Sequence, residues 1–72
     1  MADNTYRVTE IVGSSSESVS DAIRTGISRA TQTLRATEWF EVTQIRGRIG
    51  PDGTVEQFQV GLKVGFRLEE TG

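Results

Sequence analysis

The chain has 72 residues, with 8 lysines and arginines against 10 aspartates and glutamates, and it contains neither cysteine nor histidine. A domain this short buries little of its surface and usually needs disulfides, a metal or oligomerisation for stability. Because disulfides, thiolate nucleophiles and the commonest metal ligands are excluded, composition predicts one domain over residues 1–72 that associates with other copies of itself.

The charge balance and the N-terminus narrow the possible partners. A nucleic-acid-binding protein normally carries a basic excess, whereas the net charge here is -2. No apolar run approaches the ~20 residues that a membrane span needs. The N-terminus also lacks the basic start and apolar segment of a signal peptide. We therefore expect no nucleic-acid or membrane partner, and the cytoplasm as the default location.

The first half of the chain predicts a strand followed by a helix. Residues 6–12 are rich in β-branched types and predict a strand that ends at Gly13 and the serines after it. The Gly-Ser segment lacks the spacing of a phosphate-binding loop and is interpreted as an ordinary loop. An apolar stripe with spacings of three and four predicts a helix over residues 18–36. Ser18 with Asp21, or Ser14 with Glu17, fits a capping box, and Ser18 is favoured because it lies just before the apolar stripe. Gly26 lies in that stripe, which suggests close packing on a sheet.

The second half predicts two strands joined by a turn. Residues 39–49 form the first, and their apolar positions change parity: Phe40, Val42, Ile45 and Ile49. A bulge or a strong bend near Thr43 or Gln44 would explain this change. Residues 50–53, Gly-Pro-Asp-Gly, predict a turn. Residues 54–68 are the clearest strand, because apolar residues alternate with polar or glycine residues from Gln57 to Leu68.

These elements predict an α+β fold of order β-α-β-β, with a three-stranded antiparallel sheet packed on one helix. The last two strands form a hairpin, and a crossover would place the first strand beside the last. The helix would cover the face of the last strand that carries Phe58 to Leu68. One helix leaves the opposite face and the edges of the sheet open, which favours association.

Few residues are suited to catalysis. The carboxylates considered for acid–base catalysis are scattered on strands and at the C-terminal tail, and are typical of a solvated surface: Glu41, Glu56, Glu69 and Glu70. The serines have no histidine to activate them. Since Ala2 follows Met1, an N-terminal proline base is also excluded.

Trp39 and the glutamines of the last strand could instead hold a planar ligand. By spacing alone, Trp39 is typical of a core or interface anchor, although its π-face could stack on a flat ring. Gln57 and Gln59 each carry a donor and an acceptor that could pair with the edge of a heteroaromatic ring. A solvated strand face is the simpler interpretation of these two glutamines.

The chain resembles the dodecins over nearly its whole length. The matching segments are Tyr6-Arg7-Val8, Glu10-Ile11-Val12-Gly13, Ser18 to Ile23, Trp39-Phe40-Glu41-Val42, Ile45-Arg46-Gly47, Phe58-Gln59-Val60 and Lys63-Val64-Gly65-Phe66-Arg67-Leu68. The spacing from Trp39 to Gln59, together with the final strand, makes the match specific.

The resemblance implies a hollow homododecamer of cubic symmetry in which two flavins stack at a two-fold axis between two tryptophans. Trp39 matches that tryptophan, and Gln59 matches the glutamine that hydrogen-bonds the pyrimidine edge of the flavin. Arg46 matches an arginine of the bacterial members, suited to the phosphate or to a cation–π contact. Gln57 and Gln44 complete the candidate flavin-binding residues.

By the same resemblance the expected ligand is FMN, with riboflavin or FAD possible and coenzyme A possible at an unmapped second site. The expected role is storage, buffering and photoprotection of the flavin without enzymatic activity. Two alternatives stay open, namely a small flavin-dependent redox enzyme and a ligand-free structural oligomeric module. A flavin stacked on Trp39 and on a second flavin would leave little room for a substrate, which disfavours the enzyme.

Overall fold

A computed structural model describes residues 3–68 of the chain. The elements follow in the order β1 (Tyr6–Ser15), α1 (Val19–Thr33), β2 (Thr37–Ile49) and β3 (Val55–Arg67). The predicted α+β fold of order β-α-β-β is confirmed. The inferences made from Met1, Ala2, Glu69 and Glu70 lie outside the described residues.

The three strands form one sheet of order β1-β3-β2, in which β3 pairs antiparallel with both neighbours. This confirms the predicted hairpin and the position of the first strand beside the last. The predicted end of the first strand at Gly13 is wrong. Ser14 and Ser15 continue β1 because they pair with Gln59 and Phe58 of β3.

A bulge interrupts β2 where the apolar parity changes. The register between β2 and β3 shifts between Val42 and Gln44, which confirms the predicted bulge. Because of this shift, apolar residues of both parities pair with the same face of β3: Phe40 with Val64, Val42 with Leu62, and Ile45 with Val60. Residues paired directly across a sheet lie on the same face, so these side chains share the face on which α1 packs.

Helix α1 begins as the sequence predicts but ends earlier. The Ser18 hydroxyl accepts a hydrogen bond from the backbone N–H of Asp21 at 3.0 Å and caps the N-terminus. The helix ends at Thr33 and not at the predicted residue 36. Ala36 has a φ of 59°, and its carbonyl accepts a hydrogen bond from the Arg67 N–H at 3.0 Å. The chain has therefore already turned onto the sheet at the position where the helix was predicted to continue.

The core lies between α1 and the strands β1 and β3. Ala22, Val60 and Leu62 are completely buried there. Gly26 of the helix faces Gly13 of β1, and a Cβ atom on Gly26 would stand 3.0 Å from Leu62 Cδ1 and 3.2 Å from Gly13 Cα. This confirms the close packing on the sheet that was predicted from Gly26.

Strand β2 has no comparable cover. We call the side of the sheet that α1 packs on the helix face, and the opposite side the open face. On the helix face of β2, four apolar side chains stay exposed in the single chain: Phe40, Val42, Ile45 and Ile49. Ile45 is 59% exposed and Ile49 is 75% exposed. A large apolar strip is therefore available for contact with another molecule.

The β2–β3 hairpin closes through the predicted turn. The Gly53 N–H donates to the Gly50 carbonyl at 3.0 Å, and Gly53 has a φ of 82°, a conformation that glycine adopts without strain. Hydrogen bonds from the Thr54 side chain and backbone lower the pKa of the Asp52 carboxyl in this turn.

Among residues 3–68, no helix has the length and apolar character required to cross a membrane.

Candidate functional site

The five candidate flavin-binding residues all belong to the open face of the sheet. Gln57 and Gln59 lie on β3, and the other three pair with β3 residues of the same parity: Trp39 with Gly65, Gln44 with Gly61, and Arg46 with Gln59. The helix face takes the apolar residues of β3. The polar and glycine residues of β3 therefore form the surface of the open face.

Trp39 lies across Gly65. A Cβ atom on Gly65 would overlap the benzene ring of the indole at Cε2, Cζ2 and Cδ2, so only a glycine lets the ring lie against the β3 backbone. Trp39 is nevertheless 40% exposed. The indole is thus supported by backbone while a substantial part of its surface stays available to a ligand.

Three polar residues around the indole hold this arrangement. The Tyr6 ring meets Trp39 edge-on, with ring centroids 6.1 Å apart and an angle of 62° between the planes. The Tyr6 hydroxyl donates to Glu38 Oε1 at 2.9 Å, and Arg67 Nη1 lies 3.4 Å from Glu38 Oε2. Sequence reasoning missed these contacts. The β1–β3 register, which pairs Tyr6 with Arg67, is the signal that places them together.

A second polar group lies farther along the open face. Arg46 Nε donates to Gln59 Oε1 at 2.9 Å, and Gln59 Nε2 donates to Gln57 Oε1 at 3.0 Å. Gln44 occupies the neighbouring position on β2, opposite Gly61. A continuous chain of hydrogen bonds therefore joins Arg46, Gln59 and Gln57 across the two strands.

The two groups are far apart within one chain. Gly65, which supports Trp39, is six residues beyond Gln59 on β3, and a strand rises about 3.4 Å per residue, which gives a separation of roughly 20 Å. The structure therefore brings Arg46, Gln57 and Gln59 together, and it does not bring Trp39 to them. A single planar ring is much shorter than this separation, so a ring that touches both groups would have to lie between two copies of the chain.

The surface between the two groups is low and charged. Gly61 and Gly65 contribute no side chain, and between them Lys63 pairs with Glu10 on one side and Glu41 on the other. In residues 3–68 no group of three or more histidine, cysteine, aspartate or glutamate side chains is arranged to hold a metal ion. The open face is thus suited to lie against a flat organic ring with hydrogen-bonding edges.

Comparisons with known proteins agree on one family. The family model Dodecin matches residues 5–69. Dodecin of Thermus thermophilus is 53% identical over 66 residues, which cover 92% of this chain and 94% of that protein. Dodecin from Streptomyces coelicolor is similar in structure, with a TM-score of 0.90 and 59% identity over 99% of this chain and 100% of that chain. Dodecin from Streptomyces davaonensis has a TM-score of 0.89 and 55% identity over 96% of this chain and 100% of that chain.

Proposed function

The chain belongs to the dodecin family of small dodecameric flavin-binding proteins, and on that basis we propose that it stores FMN and protects it from light. The ligand would lie on the open face, in pockets shared between copies. Trp39, Arg46, Gln59, Gln57 and Gln44 are the proposed contacts.

One observation carries this proposal, namely the exposed indole of Trp39 lying on the glycine backbone. A ring stacked on tryptophan gains about 0.5–1.5 kcal/mol beyond the burial of its area. One such contact binds weakly, whereas a two-fold axis supplies two indoles and lets two flavins stack on each other. The Tyr6 ring packs edge-on against the indole and is itself hydrogen-bonded to Glu38, a support that would reduce the side-chain entropy lost on binding.

The separation of roughly 20 Å between the two groups supports a site built from two copies. The tryptophan of one copy would stack on the flavin ring, and Gln59 of another copy would reach its pyrimidine edge. Such a site exists only in the assembly, which accounts for a chain of 72 residues holding a cofactor that it cannot enclose alone.

The exposed apolar strip on β2 supports self-association. Phe40 is 48% exposed and faces a cleft lined by Ile23 and Ile27 of the helix. We propose that other copies cover this strip in a homododecamer. A closed shell would also cover the sheet edges, which are otherwise open to uncontrolled pairing.

FMN is the proposed flavin because Arg46 offers a guanidinium suited to its phosphate. Riboflavin and FAD share the ring and are the alternative ligands, and coenzyme A is retained as a second ligand without assigned residues. We further propose a single domain over residues 1–72 that is located in the cytoplasm. Nucleic acid and membranes are not among the proposed partners, given the net charge of -2.

We propose that the protein is not an enzyme. Stacking between an indole and a second flavin leaves little room for a substrate beside the reactive ring. Turnover of a reduced nicotinamide by the FMN-loaded protein would instead establish the alternative of a flavin-dependent redox enzyme. Failure of the assembled protein to take up any flavin would favour the ligand-free structural module.

Protection of the flavin from light would follow from an electron donor, Trp39, at stacking distance from the ring. An excited flavin is a strong oxidant, and electron transfer from Trp39 followed by rapid return would restore the ground state before the ribityl chain reacts. Titration of FMN with the protein tests this directly. We expect most of the fluorescence to be lost and bleaching to slow. Bound FMN that stays bright, or bleaches as fast as free FMN, would contradict storage and protection.

A further inference from the structure

We propose that Arg46 is a positioning residue that fixes the amide orientation of Gln59, and thereby the order in which Gln59 offers its acceptor and its donor to the ligand. This inference rests on the proposed flavin binding. It assigns to Arg46 a role that acts through its neighbour and does not require contact with the phosphate or the ring.

Both hydrogen bonds of the Gln59 amide have a defined direction. Arg46 Nε lies 2.9 Å from Gln59 Oε1, and Gln59 Nε2 lies 3.0 Å from Gln57 Oε1. A guanidinium has five N–H donors and no acceptor. Whatever faces Arg46 must therefore be an oxygen, and the Gln59 amide has one orientation that satisfies this requirement.

The two glutamines cannot set this orientation by themselves. If both amides were reversed, Gln57 Nε2 would donate to Gln59 Oε1, and the bond between the two side chains would survive. The reversed pair would turn the NH₂ group of Gln59 toward Arg46 and place donor against donor. Arg46 is thus the only member of this three-residue chain of hydrogen bonds that cannot be reversed, and it selects one of two otherwise equivalent arrangements.

The selected arrangement leaves a matched pair of groups on Gln59. Its Oε1 keeps a second lone pair and its Nε2 keeps a second N–H. Both lie at the edge of one planar amide, and Gln59 is only partly buried. This pair complements a ring edge that carries an N–H next to a carbonyl. The pyrimidine edge of a flavin has this chemistry at N3–H and its adjacent carbonyls.

A fixed amide sets the register of the ring. The flavin edge has a carbonyl on each side of N3–H, so a reversed amide would pair with the other carbonyl and shift the ligand. Loss of Arg46 would therefore divide the ligand between two registers, only one of which fits the stack on Trp39. Loss of Arg46 should therefore weaken flavin binding about as much as loss of one neutral hydrogen bond, a decrease in affinity of about twofold to tenfold.

A set of variants separates this role from a direct contact, with riboflavin as the probe because it has no phosphate. Arg46→Ala removes the donor, Arg46→Lys keeps a group that only donates, and Arg46→Gln keeps a hydrogen bond but can itself reverse. We expect Arg46→Ala and Arg46→Gln to weaken riboflavin binding by similar factors, and Arg46→Lys to restore much of the loss. FMN should lose at least as much affinity as riboflavin, because it also loses the guanidinium proposed for its phosphate.

A double-mutant cycle with Gln59→Ala completes the test, with the assembly of each variant checked by sedimentation. If Arg46 acts through Gln59, Arg46→Ala should cost nothing further once Gln59 is alanine. A full loss in that background would overturn the inference, as would a loss for FMN with riboflavin unaffected. Failure of the assembled parent to bind either flavin would instead refute the proposed function, and this inference with it.

Discussion

At the scale of single residues, the properties of Trp39 depend on its neighbours as much as on the indole itself. Gly65 provides the space that lets the ring lie on the backbone, and Tyr6 supports its edge. Glu38 ties the Tyr6 hydroxyl to Arg67. These contacts support the proposed role of Trp39, because a side chain packed in place before binding stacks on a ring at a lower entropic cost.

Replacement of Trp39 should separate binding from photoprotection. Trp39→Ala removes the stacking surface, and we expect FMN affinity to fall at least about 30-fold, the equivalent of the ~2 kcal/mol typical of an anchor residue. Trp39→Phe keeps a stacking face but is a poorer electron donor. Loaded with FMN to full occupancy, it should fluoresce more and bleach faster than the parent. Unchanged FMN affinity of Trp39→Ala in equilibrium titrations would reduce Trp39 to a packing residue.

Gln59 should contribute less than Trp39. Gln59→Ala removes a neutral hydrogen bond at the ring edge, which is worth about 0.5–1.5 kcal/mol. We expect FMN affinity to fall by about twofold to tenfold in the same titration, with most of the selectivity for the pyrimidine edge lost. If the parent protein bound aromatic rings without this edge as tightly as flavins, Gln59 would have no role in recognition.

At the scale of the elements, two close contacts that depend on glycine set the geometry. Gly13 and Gly26 allow α1 to approach β1, and a Cβ on Gly13 would collide with the Ala22 carbonyl oxygen. Gly65 allows β2 to lay Trp39 on β3. The first contact fixes the helix on one face of the sheet, and the second places Trp39 on the other, where the flavin is proposed to bind.

Gly65→Ala should therefore impair the site without removing any ligand contact. The added Cβ would displace the indole, and we expect the FMN affinity, measured by fluorescence titration, to fall about tenfold or more while the fold is kept. The same substitution in the Trp39→Ala background is the control, because no indole is left there for the added Cβ to displace. An equal fractional loss of FMN affinity in both backgrounds would argue against a specific packing of Trp39 on Gly65.

Local signals predicted the parts of the fold that depend on neighbours in sequence. Ser18 caps α1 because its hydroxyl accepts a hydrogen bond from the backbone N–H of Asp21, which is only three residues away. The bulge between Val42 and Gln44 followed from a parity change visible in the sequence. Strict alternation over residues 57–68 predicted β3 and its buried face.

Contacts between distant segments account for what the sequence did not reveal. The early end of α1 depends on the Ala36 carbonyl bonding to Arg67, and the extra length of β1 depends on Ser15 pairing with Phe58. The arrangement of the candidate site also depends on contacts between segments that are distant in sequence. The parity of β3 indicated a polar face, whereas the cluster around Tyr6 and the distance between Trp39 and Gln59 needed the strand register.

At the scale of the whole molecule, the single chain is incomplete. The helix covers β1 and β3, and it leaves the apolar strip on β2 exposed. The two halves of the proposed flavin site are also too far apart to meet within one chain. Assembly would correct both deficits, so the account predicts that folding, association and flavin binding are linked.

A charge in the apolar strip should disrupt folding, association and flavin binding together. We expect Phe40→Glu to dissociate the shell, because a charged group buried in an apolar interface is costly. Flavin binding should be lost with it, since the site needs two copies. Gln32→Glu places the same charge on an exposed position of α1 and is the control. A dissociated Phe40→Glu variant that still binds FMN tightly would show that the site does not need a second copy.

The central claim is that FMN is held in a shell of twelve chains, and sedimentation velocity recorded at a visible wavelength absorbed by flavin tests it most directly. The account predicts that, after FMN is added, the flavin absorbance sediments in a single boundary of about 95 kDa, twelve times the 7.9 kDa of one chain. Protein that sediments as monomers or dimers, or flavin that stays behind with the solvent, would contradict it.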